Sequence, residues 1–355
     1  MKVTEIEVHE ISLPFKDWLH YPLSHYGPPT RRTIYVAHTD TGLIGLGDGG
    51  RVVDPAVLER YIGSSPFDWM GDELSLPLGM AMYDLMGQAA GVPVYKLFGQ
   101  KYRSWVPVGS WTVSTHPDHM AEAVQRYASM GYTWMKYHLS PFENVFEQTE
   151  AMQAVAPSGF RVHYDFTGGG TDDHMVDLLT RLQEYPIAGC FEDVMDEKDI
   201  EGSIDLRQRI RLPIVRNRAA LDCTHEVLMG AGDAYIRGHQ LLGPVTRQAG
   251  LFGAGNIPFS IQNVGTTISR AMTTHMMASF PSANLHFHTD TETWTDDVVH
   301  ERLEPINGCV RVSEKPGLGL SLDRDALERL KNLELPAPSR WIIASSFANG
   351  AQMYF

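Results

Sequence analysis

Several short apolar runs in this chain end in side chains that can move protons or bind ions. "TWMKYHL" carries Lys136 and His138, "FRVHYDF" ends at Asp165, and "IAGCFEDV" reaches Glu192. "LPIVRN" ends in Arg216 and Asn217 with Arg218 next, "IPFSIQN" in Gln262 and Asn263, and "NLHFHTD" in His288 and Asp290. Histidine titrates near neutrality and suits general base or acid work. Two carboxylates on neighbouring run ends need a cation, and an arginine following them can fork onto one or both.

Such residues act together only if a scaffold aligns the run ends. His138, Asp165, Glu192 and Asn217 are separated by 27, 27 and 25 residues, about one strand plus one helix each. That spacing predicts a parallel sheet. Eight runs follow one another from "WVPVGSW" to "NLHFHTD", which predicts a (β/α)8-type barrel, with strand C-termini facing the active site. A doubly wound open sheet has the same texture but fits the count less well.

The first hundred residues differ. "KVTEIEVHEISL" and "TIYVAHTDTGLIGLGD" alternate like strands around a Thr41-Gly42 turn, and "LPLGMAMYDLMGQAAG" has helical spacing that stops at Gly91. A separate α+β unit is expected there.

Composition limits the partners. The net charge of −14, with no Lys/Arg cluster, argues against nucleic acid and anionic membranes. The three cysteines are too few and too scattered for a disulfide framework, and "MKVTEIEVHEISLPF" lacks a signal peptide's apolar stretch. A cytoplasmic protein is expected.

Three stretches outside the run ends carry a resemblance to the enolase superfamily, in its mandelate racemase and muconate lactonizing branch. They are "TDTGLIGLGDGG", "AMYDLMGQAAGVPVYKLFGQ" and "NGCVRVSEKPGLGLSLDRDALERL". The resemblance implies a capping domain over residues 1–102, completed by the tail 320–355, above a barrel of residues 103–319. It also implies a homo-oligomer, a carboxylate-bearing substrate and a magnesium-held enediolate formed by loss of the proton α to that carboxylate.

Carried over residue by residue, Asp165 and Glu192 match the first two metal ligands, while the third falls on Asn217 or Arg218, neither of them a carboxylate. Asn217 can offer one neutral oxygen to Mg2+; Arg218 cannot be deprotonated. Two readings stay open: metal binding, or an arginine in place of the ion. Lys136 matches the first lysine of a Lys-x-Lys pair, with His138 in place of the second, the usual base. Gln262 stands where a second base is common, so a two-base racemase is disfavoured. His288 is the candidate acid on the eighth strand. Arg216 or Arg218 would bind substrate oxygens, and His20, Tyr21, His25 and Tyr26 form a candidate substrate loop in the cap. The expected activity is a lyase of the sugar-acid dehydratase kind; the alternative is a non-catalytic relative that binds a small anion, Arg218 replacing the metal.

Overall fold

The structure, a computed structural model, describes residues 1–20, 22–23, 31–140, 142–168, 170, 172–217, 224–335, 344–346 and 352–354. Tyr21, His25, Tyr26 and Arg218 lie outside the described residues.

The alternating N-terminal stretches form β1 (Val3–Ser12), β2 (Arg31–Thr39) and β3 (Ile44–Gly49), an antiparallel sheet in that order. Gly42, at φ 81°, makes the turn between β2 and β3. The helix Leu76–Ala90 begins at a Ser75 cap with proline in its first turn and stops at left-handed Gly91. It lies directly on β3. A Cβ at Gly45 or Gly47 would stand 2.3 Å from Ala81 O or 2.1 Å from Pro77 O, so only glycine permits this approach. Asp84, on the same helix, accepts the backbone N–H groups of Leu46 and Leu318, tying the sheet to a later segment.

The barrel begins after a short antiparallel pair. The run "WVPVGSW" divides into β4 (Trp105–Pro107), paired with β12 (Cys309–Arg311), and β5 (Ser110–Val113). Then come β6 (Trp134–His138), β7 (Arg161–Asp165), β8 (Ala188–Glu192), β9 (Ile214–Arg216), β10 (Ala234–Gly238) and β11 (Phe259–Gln262). β5 to β11 form one parallel sheet in sequence order, and a helix follows each strand. The helix Pro117–Ser129 shows why: Met120, Ala123, Val124 and Tyr127 make one buried stripe at helical spacing.

The eighth run forms no regular strand, yet it closes the ring. Gln262 bridges His288 on one side, and Val108 bridges Phe287 on the other. Phe287 accepts from Gly109 N at 2.9 Å and donates to Pro107 O at 3.0 Å. The result is a modified (β/α)8-type barrel with an α+β cap. The helix Arg324–Lys331 returns to the cap, where Arg324 pairs with Glu7 of β1. Among the described residues no helix is long and apolar enough to cross a membrane.

Candidate active site

Parallel pairing aligns the chemistry. In the register of β6, β7 and β8, His138 lies opposite Asp165 and Asp165 opposite Glu192. Side chains two residues apart share a face, so Lys136 and His138 both point into the barrel. Lys136 Nζ lies 2.9 Å from Asp165 Oδ2, 2.6 Å from Glu192 Oε2 and 3.2 Å from Gln262 Oε1. His138 Nε2 is 3.0 Å from Asp165 Oδ2, and its ring meets Trp111 edge-on.

A third carboxylate joins them. Asp193 turns back into the barrel through a left-handed backbone, φ 46°, and one carboxylate oxygen each from Asp165, Glu192 and Asp193 lie within 4.8 Å of one another. Thr167, His239 and Asp290 share this backbone region, the first two just beyond a barrel strand and the last at the end of the eighth run. Left-handed non-glycine residues cost free energy, and here they gather where the strand ends face the cavity.

The electrostatics are short of positive charge. Burial opposes ionisation of Asp165, but Lys136 and His138 outweigh it and hold the carboxyl well below the usual range. Burial opposes the Lys136 charge too, and Asp165 and Glu192 overcome it, raising its pKa. Glu192 is pushed up to about 7 by burial and the Asp165 charge. Asp193 is also pushed up to about 7, by burial and by Glu192 and Asp165. One ammonium cannot satisfy three buried carboxylates.

A cavity of about 720 Å³ opens above this group. His138 and Gln262 line it, as do Trp111 and Asp290. The cap contributes Phe15, Arg32 and Arg51. Arg32 is anchored by Asp48, its Nη2 2.8 Å away. Asp290 is pushed up to about 8 by burial and the neighbouring Glu292 charge. A second cavity, about 680 Å³, is lined by Glu73, His239 and Arg247 but by neither His138 nor Asp290, so we place the site in the first.

Two expectations are corrected and one is modified. Arg216 faces outward, because strand alternation turns Val215 into the barrel and Arg216 toward the helices. There it bonds Glu226 at 2.9 Å, Ser203 Oγ at 2.6 Å and Glu197 O at 2.8 Å, away from the residues that line the cavity. His288 is wholly buried beneath the cavity with His163 and His286, and Asp290 takes the cavity wall instead. Asn217 directs its side-chain oxygen at Gly238 and its N–H to Asp193 Oδ1 at 2.8 Å, and the third acid of the group is Asp193. Of the expected substrate loop only His20 is described: it is exposed, with its ring edge-on to Phe15.

The residues missed were Asp193, Arg32, Arg51 and Trp111, while Asp290 was read as a polar run end with the acid role given to His288 instead. "FEDV" does show Asp193, but alternation assigns it to the opposite face from Glu192. Only its left-handed turn reverses that. Arg32 and Arg51 sit far from the barrel in sequence, and nothing local marks them.

The model of the family described as enolase C-terminal domain-like matches residues 119–326. The D-xylonate dehydratase of Haloferax volcanii is 25% identical, over 82% of this chain and 83% of its own. The N-succinyl-L-Arg/Lys racemase of Bacillus cereus is 23% identical, over 93% and 98%. Among solved structures, an enolase from Pseudomonas fluorescens with bound magnesium, potassium and tartrate superposes with a TM-score of 0.76 at 19% identity, covering 93% of this chain and 92% of that one.

Proposed function

Because this chain belongs to the enolase C-terminal domain-like family, we propose that it is a lyase that dehydrates a sugar acid or related hydroxy acid. The observation that carries this reading is the position of His138. It lies on the cavity wall, 3.0 Å from Asp165, and beside an ammonium and three gathered carboxylates. The likeness to a D-xylonate dehydratase supports the same reaction class.

The donor set fits magnesium. Asp165, Glu192 and Asp193 offer hard anionic oxygens, which Mg2+ prefers, and they are under-neutralised by Lys136 alone. When bound, the ion would hold the substrate carboxylate and offset the charge that develops as the α-proton leaves.

The protein's own groups do the rest. With His138 Nε2–H donated to Asp165, the imidazole is held upright and Nδ1 takes the α-proton. Lys136 stays charged and, drawn toward the cavity, donates to a substrate carboxylate oxygen. The C–H electron pair forms the Cα–Cβ double bond as the β-hydroxyl leaves, and Asp290 protonates that hydroxyl so that it departs as water. Arg32 and Arg51 bind the distal oxygens of the substrate.

No observation favours the non-catalytic reading. Among the described residues, the cation between Asp165 and Glu192 is Lys136. The test is a screen of acid sugars with Mg2+, following 2-keto acid formation and, in D2O, loss of the α-proton signal. His138→Ala and Asp165→Asn should each abolish turnover. Full activity in His138→Ala would sink the mechanism, and no turnover of any acid sugar would sink the reaction class.

A further inference from the structure

Beneath the acid group lies a second cluster that the dehydration chemistry does not use. His163 comes from β7, and His286 and His288 from the segment that closes the barrel. All three are buried, and one nitrogen from each lies within 4.8 Å of the others. His163 Nδ1 and His286 Nε2 are 2.8 Å apart, so one of these nitrogens presents a lone pair.

Four further features fit a bound ion better than a packed core. His288 is fully buried, and neither ring nitrogen has a hydrogen-bond partner among the described residues, an arrangement that is costly to leave unsatisfied. His163 Nε2 stands 2.7 Å from Glu192 Oε2, off the line of a hydrogen bond but placed to gain one on a small rotation. That would be the carboxylate partner that orients metal-binding histidines, with Nδ1 left to ligate. Trp134 stacks on His286 at 4.2 Å and fixes that ring. Gly109 makes room for the pair: a Cβ there would lie 2.6 Å from His288 Nε2 and 2.9 Å from His286 Cδ2.

We infer that His163, His286 and His288 form a second metal site, for a nitrogen-preferring divalent ion such as zinc or cobalt(II), with Glu192 linking it to the acid group above. Three imidazoles are borderline donors that suit these ions and not magnesium. Tetrahedral bonds of about 2.0–2.1 Å put neighbouring nitrogens about 3.3 Å apart, so His163 and His286 need to separate only slightly.

The test uses the full chain, stripped with chelator and then loaded with zinc or cobalt(II). Zinc is counted by elemental analysis after gel filtration, and cobalt is read by its visible absorption. We expect about one zinc per chain, kept in Asp165→Asn and lost in His288→Asn and in His163→Gln. Cobalt should give the intense bands of a nitrogen-rich, low-coordinate ion, and X-ray absorption on the wild type should show about three imidazole shells. The wild-type spectra decide even if both histidine variants fail to fold. Wild-type protein that retains no zinc overturns the inference, and so does zinc lost in Asp165→Asn but kept in His288→Asn.

Discussion

Replacing Lys136 by Met tests whether its ammonium balances the buried acids. Lys136 is fully buried, with Nζ 2.9 Å from Asp165 and 2.6 Å from Glu192. At an effective dielectric of about 20, each contact is worth about 6 kcal/mol of Coulomb attraction before desolvation. Removing one partner of such a buried pair costs about 3–5 kcal/mol net. The loss should depend on pH. Without the ammonium, Asp165 loses what holds its carboxyl below the usual range, and Glu192 and Asp193, already pushed up to about 7, rise further above their unfolded values. Stability is then fully present below the unfolded carboxyl pKa and is lost as pH rises. The Lys136→Met penalty should therefore be largest near pH 8 and shrink toward pH 5. Magnesium should restore more stability to the variant than to the wild type, because the ion and the ammonium serve the same oxygens. The assay is urea unfolding followed by circular dichroism, in chelator and in excess magnesium. A loss under about 1 kcal/mol near pH 8, or one that does not change with pH, would refute the reasoning, since the pair energy above requires several times more.

Asp84, fully buried between the cap and the Leu318 segment, is pushed up to about 6 by burial, against an ordinary 3.8. Its contribution is full below pH 3.8 and is lost as pH rises through about 6, a change of about 3 kcal/mol at most. The stability difference between wild type and Asp84→Asn should shift over that window; a flat difference counts against the reading. Arg216→Ala breaks the outward network with Glu226 and Ser203 and should cost about 3–5 kcal/mol while leaving KM unchanged, whereas a raised KM would return Arg216 to the site. Gly109→Ala forces a methyl against His288 and should cost about 1–3 kcal/mol in thermal or urea unfolding; a neutral substitution would mean the two rings have slack.

Much of this molecule was legible without coordinates because it follows from local periodicity. Spacings of 27, 27 and 25 residues repeat a strand and a helix, and parallel pairing of such units must bring His138, Asp165 and Glu192 side by side. The cap's hairpin and its long helix were equally readable, since a glycine turn and a glycine stop act within a few residues. Alternation also put Lys136 with His138. Applied to "IVRN", the same rule turns Arg216 outward, and the expected substrate role ignored it.

Tertiary structure decided what depends on distant parts of the chain. A single left-handed residue moves Asp193 to the acid side, and no pattern of apolar residues records a backbone φ. Ring closure sets His286, 123 residues along the chain, against His163, and carries His288 below the cavity floor. Cap packing brings Arg32 over the strand ends. Sequence alone thus determined which side chains share a strand face, because that is a property of neighbours along the chain. Which faces meet across the barrel depended on closure and on the cap, where the contacts that offset the lost entropy lie between residues far apart in sequence.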